Sequence, residues 1–240
     1  MITGPMFKWF GSKWLSSKTL PKPSHGWIIE PFAGGAGYSL RYYYRDVLLY
    51  EADNHIRQLW QWLIGDATEA DIRDIPISVA EGTDIRTLGL CSGQQLLLKN
   101  WQRTNNVGDC WTISPWGNKP GQWTANTRAR VSEEMLAIKH WKIGGTDGLL
   151  AFNNSPATWF IDPPYEYNYQ YRNKNRLDYS VLASKALACK GQVIVCEAVC
   201  PKTQKVPDYL PFEFFSNRIT SRRKVGDNHH SKELIWQGGT

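Results

Sequence analysis

Features of several protein classes are missing from this sequence of 240 residues. Its five cysteines are odd in number and include no Cys-x-x-Cys pair, so they do not indicate a zinc site. Residues 1–25 lack the apolar run of a signal peptide, and no stretch approaches the roughly 18 apolar residues of a membrane helix. We therefore expect a soluble, cytoplasmic monomer with reduced, partly buried thiols, no bound metal and no membrane contact.

The sequence is instead rich in aromatic residues and in positive charge. With 42% hydrophobic residues it can bury a full-sized core as one globular domain, and a formal net charge of +6 favours a polyanionic partner without identifying it. Of its 12 tryptophans, those between residues 101 and 123 alternate with Asn, Gly, Pro and basic residues. This tract is either an insertion packed by tryptophan or a surface where rings and cations contact nucleotides.

Strands and helices alternate at both ends of the chain, which predicts an α/β fold. Near the amino terminus we expect strands at 27–29 and 47–50, a helix at 38–44, and an amphipathic helix at 56–63 that Gly65 stops.

The middle of the chain, residues 66–148, breaks this alternation and is predicted to be an inserted, mainly helical subdomain. Only two helices are indicated there, at 93–102 and 128–141. The main domain then comprises residues 1–65 and 149–240. Its second part is predicted to contain a strand at 159–161, a helix at 177–189, a strand at 192–196 and an antiparallel pair at 212–220 and 233–236.

A glycine-rich loop, Gly-Gly-Ala-Gly at 34–37, follows the first predicted strand and precedes a helix. Small residues let the backbone approach a ligand closely, and a helix N-terminus offers amides to it. Asp53, at the end of the next strand, is placed where a carboxylate can accept hydrogen bonds from ribose hydroxyls. Loop and carboxylate favour a cofactor that contains adenosine. The alternative is that Asp53 only caps the helix that begins at Asn54.

A second motif, Asp162-Pro163-Pro164-Tyr165, ends the strand predicted at 159–161. The N6 amine of adenine is a weak nucleophile because its lone pair is delocalised into the ring, and hydrogen bonds from both amine protons counter this. The Asp162 carboxylate and the Pro163 carbonyl are two suitable acceptors, fixed by the proline torsions, while Tyr165 offers a face for base stacking. The alternative is an ordinary turn after a strand.

At the amino terminus, a ring, a glycine and two cations lie close together as Lys8, Trp9, Gly11 and Lys13. These groups suit a cofactor that has an adenine ring and a carboxylate. The alternative is a terminal loop that is packed by tryptophan and carries solvated lysines.

Taken in this order, the segments resemble the Dam-like family of DNA N6-adenine methyltransferases, in its D12 class with the alpha arrangement of motifs. The resemblance rests on residues 8–13, 30–35, 52–53 and 162–165. It implies a doubly wound, Rossmann-like methyltransferase fold with an inserted target-recognition subdomain. It also implies S-adenosylmethionine as the cofactor, double-stranded DNA as the partner, and a solitary phage or bacterial enzyme.

The resemblance implies roles for particular residues. The catalytic residues would be Asp162, Pro163, Pro164 and Tyr165. The cofactor would contact Lys8, Trp9, Gly11, Lys13, Glu30, Pro31, Phe32, Ala33, Gly34, Gly35, Gly37, Asp53 and Asp162. DNA would contact Arg103, Asn105, Asn106, Trp116, Arg128, Arg130, Arg222 and Arg223.

The predicted DNA segment departs from the family at one point. Arg103, Asn105 and the Pro-Trp-Gly at 115–117 match the family's Arg-aromatic-Asn and Pro-aromatic-Gly pattern. Thr104, however, stands where an aromatic residue is common, and extra residues separate the two parts. The GATC target of the family therefore does not carry over. Arg128 and Arg130, which precede an apolar helix stripe, are expected to contact phosphates.

Three alternatives stay open on the sequence alone. The same fold can act on adenine in RNA or add another group to it, and a DNA-binding regulator can keep the fold without turnover. The glycine loop by itself also fits a nicotinamide oxidoreductase. The intact Asp-Pro-Pro-Tyr motif favours turnover. No segment suggests a nuclease, and a separate restriction partner is left open.

Overall fold

Seven strands form the centre of the structure, a computed structural model that describes residues 1–102, 110–115, 117, 119, 121–165, 177–198, 216–221 and 230–238. The strands are β1 (Trp27–Glu30), β2 (Asp46–Leu49), β3 (Lys142–Ile143), β4 (Ala157–Ile161), β5 (Gly191–Ala198), β6 (Ser216–Ser221) and β7 (His230–Gly238). They pair in one sheet in the order β3-β2-β1-β4-β5-β7-β6. Strands β1 to β5 pair in parallel with one another, whereas β7 is antiparallel to both β5 and β6.

Helices connect these strands. Within the described ranges the α-helices are α1 (Asn54–Gln61), α2 (Glu69–Arg73), α3 (Ser92–Trp101), α4 (Ala125–Glu134) and α5 (Tyr179–Ala188). Side-chain oxygens fix several of their starts by accepting hydrogen bonds from backbone N–H groups of the first turn. The capping residues of this kind are Asp53, Thr68, Thr124 and Asp178.

The parallel strands are apolar because both of their faces are covered. All residues of β4, and all but the last of β5, are buried. Successive side chains of a strand point to opposite faces, so Ile28 and Phe160 join one core cluster while Ile29 and Trp159 join another.

Both faces of the sheet carry helices. Helices α1, α3 and α4 contribute apolar side chains to the core cluster that contains Ile28, whereas α5 contributes to the cluster that contains Ile29. The expected α/β architecture with a mostly parallel sheet is therefore confirmed. Leu97 of α3 and Val131 of α4 share a core with Ile28. The middle segment 66–148, as far as it is described, thus packs onto the core of the sheet.

Two helices near the amino terminus differ from the sequence expectation. The helix expected at 38–44 is a 3-10 turn at Ser39–Tyr42, because aromatic residues have low helix propensity and this stretch contains three tyrosines in a row. Gly65 does not stop the next helix, which continues through it in a π-type turn at Trp62–Asp66.

The second helix of the middle segment also has other bounds than expected. It begins before residue 128, because Thr124 caps it through a hydrogen bond from the N–H of Thr127. Its end tightens into a 3-10 turn at Met135–Ile138, so the regular α-helix does not reach residue 141.

Some features are absent from the described ranges. None of their helices has the length and apolarity needed to cross a membrane. They also contain no cluster of three or more His, Cys, Asp or Glu side chains suited to a metal ion. Their four cysteines form no disulfide with one another, two being exposed and two buried. Cys200 lies outside the described residues.

Candidate active site

The candidate site lies at the carboxyl edge of the sheet, where three neighbouring parallel strands end. The chain first adds β2 and β3 on one side of β1, and then β4 and β5 on the other side. Doubly wound sheets bind ligands outside the strand ends at such a reversal. The loop at 31–37 follows β1 and the motif at 162–165 follows β4, so the fold brings the two sequence motifs to the same place.

Lys13 connects the amino-terminal motif to the Asp-Pro-Pro-Tyr motif. Its Nζ lies 2.6 Å from each carboxylate oxygen of Asp162, 3.2 Å from the carbonyl oxygen of Gly11 and 5.1 Å from the centre of the Tyr165 ring. The Lys13 side chain is 7% exposed and that of Asp162 is 17% exposed. Since a buried charge needs a partner, the ammonium and the carboxylate compensate each other. The structure thus joins two predicted site residues from opposite ends of the sequence.

The glycine loop is packed tightly against the amino-terminal segment. A Cβ on Gly34, whose φ is 47°, would lie 2.6 Å from the indole Nε1 of Trp9. A Cβ on Gly37 would lie 2.3 Å from the backbone nitrogen of Trp14. Glycine is required at both positions because no side chain fits there. Residues 9–14 therefore lie directly against the loop.

Glu51 holds the glycine loop from the neighbouring strand. Its carboxylate accepts hydrogen bonds of 2.7 Å from the backbone N–H of Gly34 and of Asp53. The indole of Trp60 in turn donates to the Gly34 carbonyl at 2.8 Å. Burial raises the pKa of Glu51 to about 7, although the N–H donors oppose this shift. The sequence did not single out Trp60, which has the pattern of an ordinary core residue on α1.

Asp53 caps helix α1. Its Oδ1 accepts hydrogen bonds from the N–H groups of His55 (2.9 Å) and Ile56 (3.2 Å), so the capping role considered as an alternative is present. The side chain is half-buried, and both bonds use the same oxygen. A contact from Oδ2 to a ribose hydroxyl is therefore compatible with the cap.

Glu30 is an internal residue of the site. Its Oε1 accepts hydrogen bonds from the N–H (2.9 Å) and the hydroxyl (2.5 Å) of Ser39, across the glycine loop. Burial raises the pKa of Glu30 to about 8; the Ser39 donors lower it, the charge of Asp162 raises it and Lys13 lowers it. The sequence predicted that Glu30 contacts the cofactor, and the structure shows it bracing the loop from within the protein.

Residues 31–33 line the start of the loop. The N–H of Ala33 donates to the carbonyl of Tyr50 at 2.9 Å, which fixes the loop to the end of β2. A Cβ on Gly148 would lie 2.2 Å from the carbonyl oxygen of Pro31 and 3.0 Å from the ring of Phe32. Of these three predicted cofactor residues, Ala33 is thus held by a hydrogen bond, and Pro31 and Phe32 by packing against Gly148.

A buried hydroxyl without a partner lies beside the glycine loop. The Oγ of Ser12 makes no hydrogen bond within the described residues, and a Cβ on Gly35 would lie only 3.1 Å from it. Leaving such a group unpaired costs roughly 1 to 3 kcal/mol, and native proteins rarely do so without a reason. Ser12 can hydrogen-bond a ligand bound at the loop. Ser12 belongs to the motif at 8–13, but only its neighbours Gly11 and Lys13 were predicted to contact the cofactor.

Pro163 and Pro164 have different surroundings. Pro163 is buried directly after Asp162. The carbonyl oxygen of Pro164 accepts a hydrogen bond of 2.6 Å from the hydroxyl of Tyr179. No sequence signal pointed to Tyr179, because residues 166–178 separate it from the motif.

Lys8 contacts the middle segment of the chain. Its Nζ donates to Oε1 of Gln122 at 2.6 Å and lies 5.6 Å from the centre of the Trp101 ring. Burial lowers the pKa of Lys8. These contacts tie the amino-terminal segment to the tryptophan-rich tract, and the cofactor role predicted for Lys8 stays a prediction.

Arg128 and Arg130 make hydrogen bonds within the protein. Arg128 Nη1 donates to the carbonyl of Ile75 at 3.0 Å. Arg130 donates from Nη1 to a carboxylate oxygen of Glu134 (2.6 Å) and from Nη2 to the carbonyl of Pro5 (2.7 Å). Since a guanidinium has five N–H groups, these bonds are compatible with additional phosphate contacts.

Gln102, the described residue before the predicted DNA segment, contacts Ser114 and Gly117. The hydroxyl of Ser114 donates to the carbonyl of Gln102 at 3.2 Å, and the Gln102 side chain packs against Gly117. The Gln102 amide is buried, and neither of its polar atoms has a hydrogen bond within the described residues. The remaining predicted DNA residues lie outside those residues: Arg103, Asn105, Asn106, Trp116, Arg222 and Arg223.

Comparison with known proteins does not identify the chain. No protein-family model matches it, and no curated protein is significantly similar to it. Its function must therefore be inferred from the chemistry of the site.

Proposed function

We propose that the chain is a site-specific DNA adenine methyltransferase of the Dam-like family, which transfers a methyl group from S-adenosylmethionine to N6 of a flipped-out adenine. One observation carries the proposal. The segment at 9–14 contacts both the glycine loop and the Asp-Pro-Pro-Tyr motif, through Trp9 on Gly34 and Lys13 on Asp162. The three motifs that such an enzyme needs therefore form one site.

The Asp-Pro-Pro-Tyr motif suits an amine as the reacting group. The Asp162 carboxylate and the Pro163 carbonyl are acceptors, and the N6 amine of adenine offers two donors. Hydrogen bonds to both donors orient the amine and counter the delocalisation of its lone pair. Tyr165 stacks on the extruded base. During transfer the N6 to methyl bond forms as the methyl to sulfur bond breaks, and one amine proton passes to solvent.

The glycine loop and its neighbours fit the cofactor. When bound, S-adenosylmethionine supplies a methyl group already activated on a sulfonium. The hydroxyl of Ser12, which has no hydrogen-bond partner among the described residues, can donate to its carboxylate. Oδ2 of Asp53 can accept from its ribose hydroxyls while Oδ1 keeps capping α1.

The segment at 66–148 is the proposed target-recognition subdomain. It lies in sequence between the cofactor motifs and Asp162, as the alpha arrangement requires. Its predicted DNA residues are Arg103, Asn105 and Trp116, with Arg128 and Arg130 on phosphates, and the net charge of +6 favours DNA.

The test is mass spectrometry of nucleosides from unmethylated plasmid DNA and from RNA incubated with the protein and S-adenosylmethionine. We expect N6-methyladenine in DNA alone. Methylation confined to RNA, another modification, or no product at all would each overturn the proposal. Calorimetry should show binding of S-adenosylmethionine and not of NAD, which separates the proposal from an oxidoreductase.

Replacing Asp162 by Ala should reduce turnover to less than about a tenth of the wild-type value, because the N6 amine of adenine loses a hydrogen-bond acceptor. This loss is equivalent to raising the activation barrier by roughly 1.4 kcal/mol. The matched control is Asp46→Ala, which removes an exposed carboxylate at the opposite end of β2. If both variants keep full turnover, Asp162 does not have the role assigned to it.

A further inference from the structure

Tyr179 contacts the Asp-Pro-Pro-Tyr motif from outside it. Its hydroxyl donates a hydrogen bond of 2.6 Å to the carbonyl oxygen of Pro164. Tyr179 is the first residue of α5, whose start is fixed by the cap at Asp178, and its ring packs against the core beneath this helix. Tyr179, which is anchored by its backbone and by its ring, therefore holds the carbonyl oxygen of Pro164.

The bonded carbonyl belongs to the peptide that joins Pro164 to Tyr165. This peptide is planar, and the pyrrolidine ring fixes φ of Pro164. The ψ angle of Pro164 is then the main torsion that sets how Tyr165 is presented relative to the two prolines. A hydrogen bond to the Pro164 oxygen restricts this torsion. It also occupies one of the two lone pairs of the Pro164 carbonyl, the neighbour of the Pro163 carbonyl in the motif.

From this contact we infer that Tyr179 is a positioning residue for the reaction, an inference that rests on the proposed function. Tyr179 acts through Pro164 without touching the substrate. It fixes the peptide so that the ring of Tyr165 meets the base while the Pro163 carbonyl accepts from its amine. Small errors in such alignment are costly, since a displacement of about 1 Å can reduce a rate about a hundredfold.

The test compares Tyr179→Phe with Tyr38→Phe. Tyr38 also donates its hydroxyl to a proline carbonyl, that of Pro21, at 2.8 Å, so both variants lose the same kind of bond. One readout is kcat for methyl transfer to plasmid DNA. The other is the fluorine NMR signal of Tyr165 in protein labelled with fluorotyrosine, assigned by its disappearance in Tyr165→Phe.

We expect Y179F to lower kcat about tenfold, to leave the KM for S-adenosylmethionine within about twofold, and to shift or broaden the Tyr165 signal. Y38F should change neither kcat nor that signal. An unchanged Tyr165 signal in Y179F would overturn the inference, as would full turnover by this variant. The NMR readout requires no turnover. An inactive wild-type protein would therefore disprove the proposed function, while the Tyr165 signal in Y179F would still show whether Tyr179 positions Tyr165.

Discussion

Two buried carboxyl groups, those of Glu30 and Glu51, make the stability of the folded protein depend on pH. Burial raises the pKa of Glu30 to about 8 and that of Glu51 to about 7. Below these values the folded protein retains both protons, whereas the unfolded chain releases them near pH 4.5, the ordinary value for Glu. The contribution of these groups to stability is therefore fully present below about pH 4.5. It is lost as the pH rises towards about 8.

Replacing Glu30 by Gln should flatten this pH dependence, because the amide still accepts from Ser39 but has no proton to lose. Urea denaturation at several pH values between about 5 and 8 measures the effect, and a single group contributes at most about 1.4 kcal/mol per pH unit. Glu133→Gln, which changes an exposed carboxylate on α4, should leave the slope of the wild type. If Glu30→Gln and Glu133→Gln showed the same change of unfolding free energy with pH, Glu30 would be ionised in the folded protein.

At the scale of elements, the sequence predicted most of the regular structure. Apolar runs identified β1, β2, β4 and β5, because parallel strands are buried on both faces. Apolar periodicity identified α1, and the remaining expectations for α3, α5 and the antiparallel pair β6 and β7 are also confirmed within a few residues. These elements carry a complete periodic signal within their own sequence.

Two short elements were missed. Strand β3 has only two residues, Lys142 and Ile143, too few for an alternating pattern, and it forms because the neighbouring edge of β2 is available. Helix α2 has five residues, and its capping box of Thr68 and Asp71 is its main local signal. Since β3 belongs to the central sheet, the sheet includes residues from the segment predicted to be an insertion.

The site was predicted in its parts but not in its contacts. Motif residues such as Gly34 and Asp162 could be named because their residue types and order are informative. Their partners Trp60 and Tyr179 could not, because each contact depends on how separate elements pack. Glu51 could be named only as another carboxylate for the ribose, and its bonds to the backbone of Gly34 and Asp53 could not be predicted. Sequence alone also left two roles for Asp53, and the structure shows one of them, the cap, without excluding the other.

The two roles of Asp53 can be separated by substitution. Asp53→Ser should keep the cap and hence the stability of α1, but weaken binding of S-adenosylmethionine because the carboxylate for the ribose is lost. Asp53→Ala should lose both the cap and the carboxylate for the ribose, and losing the cap should lower the free energy of unfolding by about 1 kcal/mol. Asp178→Ala, which removes the equivalent cap of α5, should lower stability without changing cofactor affinity. Thermal denaturation and calorimetry provide the two measurements, and equal affinity in Asp53→Ser and wild type would leave Asp53 as a cap alone.

For the molecule as a whole, the excess of positive charge predicts salt-dependent binding to DNA. Arg128→Gln should weaken binding to all duplexes alike and reduce the slope of log affinity against log salt by about one unit. Arg130→Gln should in addition lower stability, because it breaks the bonds to Glu134 and Pro5.

Lys190→Gln is the matched control for these arginines. It removes an exposed charge beside the first residue of β5, at the edge of the sheet opposite the candidate site. Titrations with duplex DNA at several salt concentrations compare the variants. If Arg128→Gln and Lys190→Gln give the same slope, Arg128 does not contact phosphate.

The contacts of the first 13 residues also determine when the site can exist during synthesis of the chain. Pro5 is bound by Arg130, Lys8 by Gln122 and Lys13 by Asp162, so each of these residues is synthesised well before its partner. Lys13 and Asp162 are 149 positions apart, which at roughly 5 to 20 residues per second corresponds to about 7 to 30 s. The ring of Trp60 lies 5.0 Å from that of Phe7, and the indole of Trp101 donates to the carbonyl of Met6, so these two core contacts can form within that interval. Packing around the amino-terminal segment can therefore begin before the candidate site is complete.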